Sequence, residues 1–346
     1  MKVLIVGDVN NYSLESSYRR AFQQLKDAVQ EFSIYREVER YTRFGRLGLS
    51  LNRFWPVDAW LRKANRALAV AIKSGMPDLV LVFGNAPVLF STLAFAKSIS
   101  NVRFVLVWPD PLTGMQAHVR EAAALYDGVA TYCRASKPVF EQLGFCQVHW
   151  VPLAADPVLH KTEPRKNAFG YDLTFVGAWR PEREQALSVI IRQFPHLKMG
   201  IRGTDWQRVN DPVLRPFLLR QPLRGRAYSD MLNQSRINLN VIDDTCFPAA
   251  NMRFFEIAIA GGLQLASACP EWEAIYKDGE QVLYYHTDAE LVTQVRRGLQ
   301  NPLEAESIRQ TGFRYTLKEH TYQQRAEQLK HLFYPSEPVR AFTDKD

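Results

Sequence analysis

The segment from Asn251 to Gly262 places an arginine and a carboxylate three residues apart, at Arg253 and Glu256. Residues at i and i+3 lie on the same face of a helix, so these two side chains can contact one ligand. The predicted helix ends at a glycine pair, where a left-handed cap is easy. The free N–H groups at its start suit a phosphate, and a carboxylate one turn further on can accept from ribose hydroxyls. The alternative is an ordinary amphipathic helix with a surface Arg–Glu pair.

A second candidate site begins at Gly177, directly after a predicted strand. A glycine lets a ligand approach the backbone closely, and the arginines that follow, Arg180 and Arg183, can grip a diphosphate with their forked N–H groups. The alternative is the start of a helix with arginines at its surface.

The first half of the chain has polar residues at the ends of predicted strands. Asn85 follows strand 79–83, and Asp110 follows strand 104–108 between two prolines that hold its backbone extended or turned. Ligands of parallel sheets bind at this carboxyl edge, so Asp110 is a candidate base or hydroxyl-binding group for an acceptor. A turn aspartate that bonds its own backbone is the alternative. His118 follows on a helix and is a second acid–base candidate, although a lone histidine is more often structural.

The first strand–helix turn contains Asp8 and Asn10. This turn lacks the G-x-G-x-x-G pattern and so gives little indication of a dinucleotide site. Its small polar residues can line a cleft on the acceptor side, and a plain tight turn is the alternative.

Composition limits the class of protein. A chain of 346 residues predicts two domains, and 47% hydrophobic residues are enough for real cores. The net charge of +7 and the pI of about 9.2 favour anionic ligands such as phosphates, nucleotides, acidic glycans or nucleic acid. Four cysteines without C-x-x-C spacing fit a reduced, cytoplasmic setting.

No signal peptide or transmembrane segment is predicted. The apolar run at the N-terminus is too short for a signal peptide and predicts a buried strand. Residues 79–96 are uncharged, but Gly84 and Pro87 interrupt them, which favours a strand, a loop and a helix start. The segment from Tyr41 to Trp55 mixes arginines with aromatics and can form an acceptor-binding loop or a peripheral membrane contact, although packing on its own domain is favoured.

Nucleic acid and metal ions are poorly supported as ligands. The arginine-rich stretch 202–226 lacks a recognised nucleic-acid-binding motif, and a solvated charged face explains it better. The chain has no H-E-x-x-H, G-x-S-x-G or P-loop, and its only D-x-D lies in the tail, so no metal or cofactor is expected. Asp243 and Asp244 end a predicted strand, where they can bind a cation or ribose, or cap a turn.

Strands and helices alternate through both halves, which indicates α/β domains with parallel, doubly wound sheets. We predict strands at 3–6, 79–83, 104–108, 128–131 and 148–151, and then at 173–176, 199–201, 237–241, 263–266 and 282–285. We predict helices at 18–31, 59–73, 88–99, 116–125 and 137–143, and then at 181–194, 228–235, 252–260, 270–276, 288–299, 302–311 and 318–333. Residues 161–170 are predicted to form a linker between the two halves. Two sheets that face each other would form a cleft between the domains.

Taken together, these residues resemble a GT-B glycosyltransferase of the CgeB-like (spore maturation protein) group over residues 1–333. The resemblance is carried by 76–84, 108–111, 151–157, 171–177 with Arg183, 251–262, and Glu319-His-Thr-Tyr322 with Arg325. It implies two Rossmann-like domains facing a central cleft: an acceptor domain at 1–162 and a nucleotide-sugar donor domain at 163–317. It also implies a last helix at 318–333 that crosses back to the first domain, before a flexible tail at 334–346.

In this resemblance Glu256 holds the ribose hydroxyls, while Arg253, Arg183 and the loop before Met252, which includes Asn251, contact the diphosphate. No obligatory metal is implied. The first glutamate of the E-x7-E pattern of retaining GT-B enzymes falls at position 248, which is a proline here, so a retaining or inverting outcome stays open.

The sequence therefore predicts a cytoplasmic, metal-independent glycosyltransferase of glycan biosynthesis. Its donor is a nucleoside-diphosphate sugar and its acceptor a glycan, a protein or a lipid-linked sugar. Three other functions stay open: a GT-B module that binds a nucleotide or glycan without turnover, an NAD-dependent enzyme, and a basic nucleic-acid binder. The absent G-x-G-x-x-G argues against the second, and the missing motif argues against the third.

Overall fold

The computed structural model describes residues 1–42, 47, 48, 50, 58–219, 221 and 223–334. These residues form two compact units. The first contains Met1–Pro152 and the segment that begins at Gln323, and the second is Leu153–Tyr322. Each unit has its own parallel sheet and its own hydrophobic core.

The first unit is built on a six-stranded sheet. Its strands are β1 (Lys2–Gly7), β2 (Ala28–Ser33), β3 (Leu79–Phe83), β4 (Arg103–Trp108), β5 (Gly128–Thr131) and β6 (Val148–Trp150), in the order β2-β1-β3-β4-β5-β6. All pairs are parallel, and Val3 of β1 lies opposite Leu79 of β3. The strand order reverses between β1 and β3, which is where ligands bind in open α/β sheets.

The strands β3 and β4 are almost entirely apolar and buried, as in parallel sheets covered on both faces. The helices that follow the strands are α1 (Leu14–Gln24), α2 (Ile34–Tyr41), α3 (Asp58–Gly75), α4 (Phe90–Ile99), α5 (Ala117–Glu121) and α6 (Lys137–Gln142), with short 3-10 helices at Leu112–Gly114, Ala123–Leu125 and Arg134–Ser136.

The second unit has a five-stranded parallel sheet. Its strands are β7 (Tyr171–Val176), β8 (Met199–Arg202), β9 (Ser235–Asn240), β10 (Gln264–Ser267) and β11 (Leu283–Tyr285), in the order β11-β10-β9-β7-β8. The first strand of the unit again lies between its second and third strands. The reversal point is therefore between β7 and β9.

Seven helices of this unit are α7 (Pro157–His160), α8 (Pro181–Gln193), α9 (Gly225–Asn233), α10 (Met252–Ile259), α11 (Pro270–Glu273), α12 (Asp288–Gln300) and α13 (Pro302–Glu319), with 3-10 helices at Trp206–Arg208 and Pro212–Phe217. Apolar residues of β7, β9 and β10 pack with α8 and α12 in the core. This core holds the start of α8 and the loops after β7 and β9, which carry the candidate donor residues.

The final helix, α14 (Tyr322–Phe333), packs on the first unit. Nε of Arg325 donates to the carbonyl of Pro152 at 3.0 Å, and Nζ of Lys330 lies 2.8 and 2.9 Å from the two carboxylate oxygens of buried Asp27. The ring of Phe333 occupies space that a methyl group at Gly128 would overlap. The first unit therefore includes residues from both ends of the described chain.

Two predicted stretches of helix are wrong. Residues 18–31 were predicted as one helix, but α1 ends at Gln24 and β2 follows a turn in which Lys26 has φ 62°. The strand β2 lies at the sheet edge, and its mixed polar and apolar residues continue the helical periodicity of α1.

The second error concerns 302–311 and 318–333. The helix α13 continues to Glu319, so residues 318–321 are not the start of the last helix. Gly312 resembles a helix end in sequence, but it lies inside α13, where a Cβ would be 2.5 Å from the carbonyl oxygen of Gln281. The glycine permits close packing.

No helix within the described ranges is long and apolar enough to cross a bilayer. Most of the segment 41–55, a candidate acceptor-binding or membrane-surface loop, lies outside the described residues, as does the tail after Tyr334.

Candidate functional site

The reversal point between β7 and β9 brings together residues from three separate segments. Gly177 follows β7, Arg183 lies in the first turn of α8, and Arg253 lies in the first turn of α10. A Cβ at Gly177 would lie 3.1 Å from Cζ of Arg253. The glycine therefore lets the guanidinium of Arg253 approach the backbone at the carboxyl edge of the sheet.

Arg183 is held from two sides. Its Nη1 donates to the carbonyl of Ala178 at 2.8 Å, and its Nη2 lies 2.8 Å from Oδ2 of Asp243. Only 6% of Arg183 is exposed, and this burial lowers the pKa of its guanidinium; Arg253 lowers it further, whereas Asp243 raises it. Arg180 is more exposed, and its Nε lies 3.8 Å from the same oxygen of Asp243. Two guanidinium groups thus contact one buried carboxylate, and Arg253 adds a third positive charge near Arg183, so the positive charge is in excess.

Two buried N–H groups of this cluster have no hydrogen-bond partner among the described residues: Nε of Arg183 and Nη1 of Arg253. An unsatisfied buried donor costs about 1–3 kcal/mol, so a ligand that accepts from both groups is favoured. Arginine forks match phosphate oxygens, and the N-terminus of α10 adds partial positive charge. The geometry and charge of this site suit a phosphate or diphosphate.

Glu256 lies one turn further along α10, next to two aromatic side chains. The hydroxyl of Tyr228, on α9, donates to Oε2 of Glu256 at 2.9 Å, and Nε2 of His160, on α7, lies 3.8 Å from Oε1. Burial raises the pKa of Tyr228 well above its usual range, and the nearby carboxylate adds to this, so the phenol stays protonated and donates. Nδ1 of His160 contacts the hydroxyl of Ser229 at 3.1 Å. The carboxylate of Glu256 is thereby held in one orientation.

Asn251 caps the same helix. Its Oδ1 accepts from the backbone N–H of Phe254 at 3.1 Å, and its amide exchanges hydrogen bonds of 3.1 and 2.9 Å with the amide of Asn240. The side chain of Asn251 therefore fixes the start of α10 to the end of β9. Its contact with a diphosphate stays a prediction.

The first unit has a cavity of about 230 Å³ at its own reversal point, between β1 and β3. Gly84 has φ 51°, a left-handed conformation that suits glycine, and a Cβ there would lie 3.5 Å from Oδ2 of Asp110. Although Asp110 is exposed as a whole residue, partial burial of its carboxyl group in this cavity raises the pKa of that group. A carboxyl group with a raised pKa at a sheet edge is suited to proton transfer.

Two more acidic residues and a tyrosine line the same cavity. Buried Glu15 accepts from the backbone N–H of Asp8 through Oε1 at 2.9 Å, in space that a Cβ at Gly7 would overlap. Burial raises the pKa of Glu15. Burial also raises the pKa of Tyr35 to about 12, with smaller contributions from Asp8 and Glu15. The cavity of the first unit is therefore acidic.

The other predicted residues of the first unit already have hydrogen-bond partners within that unit. Asn85 donates through Nδ2 to the carbonyl of Gly114 at 3.0 Å, and its Oδ1 accepts from the N–H of Gln116 at 2.9 Å. Oδ1 of Asn10 accepts from the N–H of Tyr12 at 3.0 Å. Nε2 of His118 lies 3.2 Å from the carbonyl oxygen of Ala86, and burial lowers the pKa of its ring. Of these three residues Asn85 lines the cavity, and direct roles of all three with an acceptor stay predictions.

Several residues of the two sites were not found from the sequence. His160, Tyr228, Glu15 and Tyr35 reach the sites through tertiary packing, and no local spacing links them to Glu256 or Asp110. Asp243 was predicted to bind a cation or ribose, or to cap a turn. In the structure its Oδ1 accepts from the N–H of Thr245 at 3.3 Å, while its Oδ2 contacts Arg183.

No group of three or more histidine, cysteine, aspartate or glutamate side chains among the described residues is placed to hold a metal ion.

Known proteins match this chain in two ways: a family sequence model matches part of it, and solved structures match the fold of most of it. Residues 180–331, somewhat less than half of the chain, match the sequence model of the family described as "Glycosyl transferase-like". No curated protein matches the chain. The CgeB-like subgroup stays a prediction.

Solved structures are similar along much of the chain. Sucrose-phosphate synthase (tll1590) from Thermosynechococcus elongatus is 11% identical with a TM-score of 0.64, over 96% of this chain and 98% of that one. Anabaena Alr3699/HepE, solved in complex with UDP, is 12% identical with a TM-score of 0.60, over 96% and 99%.

A variant of S. aureus TarM, solved with fondaparinux, alpha-GlcNAc-glycerol and UDP, is 10% identical with a TM-score of 0.56, over 79% of this chain. This chain spans 60% of the length of that protein. The similarities confirm the predicted fold: the chain has the GT-B fold, with two parallel-sheet α/β domains, and its second half carries a glycosyl transferase-like sequence.

Proposed function

We propose that this protein is a glycosyltransferase that uses a nucleoside-diphosphate sugar, and that its second unit binds this donor. The observation that carries the proposal is the pair of buried, unpartnered N–H groups on Arg183 and Arg253 beside Gly177. The family match over 180–331 includes both arginines, and two structural neighbours were solved with UDP.

The arginines bind the diphosphate in this proposal. During transfer the bond between the anomeric carbon and the donor phosphate oxygen breaks, and its electron pair leaves with the diphosphate. Preorganised guanidinium groups in a site with little water stabilise this developing charge. Because they supply positive charge without a metal ion, we propose that the reaction needs no metal.

Glu256 binds the ribose hydroxyls. Tyr228 already donates to Oε2, so the carboxylate is oriented before the ligand binds. The other oxygen, Oε1, lies near Nε2 of His160, at a longer distance. A carboxylate accepts two ribose hydroxyls readily, and a fixed orientation reduces the entropy lost on binding.

The acceptor binds to the first unit in this proposal. The acceptor hydroxyl oxygen forms the new bond to the anomeric carbon, and its proton passes to the carboxylate of Asp110. The raised pKa of Asp110 supports this role, because general bases work best when their pKa approaches the working pH. The acceptor is a glycan, a protein or a lipid-linked sugar, and the setting is cytoplasmic.

A second candidate is a GT-B module that binds a nucleotide or glycan without transfer. Pro248 favours it, because a proline lacks the carboxylate that retaining GT-B enzymes have at this position. Nucleotide binding without release of the donor sugar supports this candidate over the enzyme.

The test is calorimetric binding of a panel of nucleoside diphosphates, nucleotide sugars and inorganic pyrophosphate to wild type, Glu256→Ala and Glu280→Ala. Glu280 is an exposed glutamate of the same unit and serves as the matched control. We expect one diphosphate to bind, and Glu256→Ala to weaken that nucleotide about tenfold while leaving pyrophosphate unchanged, since a charged hydrogen bond contributes about 1.5–3 kcal/mol.

No binding of any panel member at millimolar concentration contradicts a donor site. Binding of nucleotides with equal loss in both variants contradicts the role of Glu256. Transfer or hydrolysis of the bound nucleotide sugar, followed by release of the diphosphate, separates the enzyme from the binding module.

A further inference from the structure

Helix α3 of the first unit presents cations along one stripe. Arg62, Arg66 and Lys73 are spaced at i, i+4 and i+11, which places them on one face together with Val70. All four residues are exposed. Among the described residues no carboxylate forms an ion pair with Arg66 or Lys73, and Arg62 has only the exposed Asp58 at 3.4 Å. The stripe therefore carries uncompensated positive charge.

A groove of about 620 Å³ lies between this stripe and α4. Phe95 of α4 lines it opposite Arg66 and Val70. Its floor is rigid, because Nδ2 of buried Asn65 donates to the carbonyls of Leu61 and Pro87, and its Oδ1 accepts from the N–H of Leu89 and the hydroxyl of Thr92, all at 2.9–3.0 Å. The face is thus preformed.

Apolar side chains are unusually exposed on these two helices. Val70 is 66% exposed, Phe90 52%, Phe95 47% and Ile99 42%. Single exposed apolar residues are normal on a soluble protein, but several on adjacent helices beside cations mark an interaction surface. The partner must bring negative charge and accept apolar side chains at once.

We propose that the α3–α4 face, defined by Arg62, Arg66, Val70, Lys73, Phe95 and Ile99, docks the protein on a bilayer that contains anionic lipids. The cations attract lipid phosphates, and the apolar side chains enter the boundary between headgroups and acyl chains. A nucleic acid pairs with the cations but leaves Val70 and Ile99 in water. A second copy of the chain brings like charges together. This proposal does not depend on the glycosyltransferase activity.

The experiment is flotation of the full chain with phosphatidylcholine vesicles and with vesicles of equal parts phosphatidylcholine and phosphatidylglycerol, without nucleotide. The test variant is R62E/R66E/K73E. The control is R208E/R215E/R224E, which makes the same change of net charge at exposed arginines of the second unit. We expect wild type and control to bind the anionic vesicles, and the test variant to bind at least about tenfold more weakly, since each cation near an anionic surface contributes roughly fivefold.

Phe95→Ser tests the apolar contribution separately. We expect it to lower vesicle binding by about fivefold, because a half-exposed aromatic ring inserts only in part. Raising the salt concentration to about 0.5 M should weaken wild-type binding, since exposed charges are then screened. This salt test needs no variant and shows whether charge attraction contributes to binding, while the comparison of the two charge variants locates that attraction on the α3–α4 face.

Three results overturn the proposal. The first is equal binding to neutral and anionic vesicles, or no binding to either. The second is an equal loss in the two charge variants, which shows only an effect of net charge. The third is absence of vesicle binding together with salt-sensitive binding to duplex DNA, or with a dimer that Phe95→Ser dissociates in light scattering.

Discussion

The two sheets share the order of the first five strands of each unit but carry opposite charges at the point where that order reverses. In the first unit Asp8, Glu15 and Asp110 line the cavity between β1 and β3. In the second unit Arg183 and Arg253 lie beside the loop after β7, where the same reversal occurs. The strand order around the two reversal points is the same, and the charged side chains there differ.

Glycine has a similar task in both places. Gly7 makes room for the carboxylate of Glu15, and Gly177 makes room for the guanidinium of Arg253. The fold therefore determines where a ligand binds, whereas a few charged side chains determine which ligand it is. The arginines of the second unit suit an anion. The carboxyl groups of the first unit repel an anion and suit a hydroxyl group that must lose a proton.

The largest expected effect is that of Asp110→Asn. If Asp110 is the base, the release of diphosphate from the donor slows by about 1,000-fold, because general bases contribute about 10²–10⁴. Since burial raises the pKa of Asp110, the wild-type rate should rise with pH through that raised pKa, at higher pH than for a free aspartate, and the variant should lose this limb. The measurement is a pH–rate profile, with nucleotide affinity unchanged as control. An unaffected rate removes Asp110 from the mechanism.

Arg253→Ala tests the cationic unit. We expect affinity for the nucleoside diphosphate and for pyrophosphate to fall about 100-fold, which corresponds to one or two charge-assisted hydrogen bonds. Arg253→Lys should recover only part of this affinity, because lysine lacks the forked N–H groups of a guanidinium. Calorimetric titration measures both, with the exposed Arg208→Ala as control; equal affinities in Arg253→Ala and the control contradict a diphosphate contact.

Gly177→Ala tests whether the guanidinium of Arg253 must approach the backbone at Gly177 closely. The new Cβ would lie 3.1 Å from Cζ of Arg253 and 3.0 Å from the ring of Phe175. The guanidinium must shift, and we expect diphosphate affinity to fall about tenfold, from overpacking of about 1–3 kcal/mol. Gly114→Ala adds its methyl group in open space and should change nothing. Identical titrations of the two variants show that Arg253 has room to move.

Tyr228→Phe should have the smallest effect. It removes the 2.9 Å hydrogen bond to Glu256, and we expect nucleotide affinity to fall about fivefold, because only part of the roughly 1.5–3 kcal/mol of a hydrogen bond to a charged group reaches the ligand through the orientation of Glu256. Pyrophosphate affinity should not change, because the bond orients the ribose-binding carboxylate alone. Tyr12→Phe, at an exposed tyrosine of the first unit, is the control. A matching loss of pyrophosphate binding points to a general structural defect.

The sequence predicted most strands because parallel strands are short, continuous apolar segments. Strands β3 and β5 have the predicted bounds. The edge strand β2 was missed, since only one side of it pairs and its residues are mixed. Gly312 shows the converse, a residue type that usually ends helices but here serves close packing.

Local spacing could place Arg253 and Glu256 on one helix, because they are three residues apart. It could not show that Arg183 shares Asp243 with Arg180, or that Tyr228 and His160 hold Glu256. These contacts join segments 28 to 96 residues apart in the chain, and they depend on how the helices pack. Single-sequence periodicity carries no information about such packing.

The position of α14 also has a consequence for synthesis on the ribosome. Asp27 is buried against Lys330, which lies 303 residues later, and Gly128 packs against Phe333. Ribosomes add about 5–20 residues per second, so these partners of the first unit emerge only after the whole second unit has been made. Until then Asp27, which also lies 3.1 Å from the N-terminal ammonium of Met1, lacks one of its two cations, and a buried carboxylate with too little compensating charge is costly. We therefore expect the nascent first unit to stay incompletely folded, and exposed to chaperones, while the second unit completes its fold.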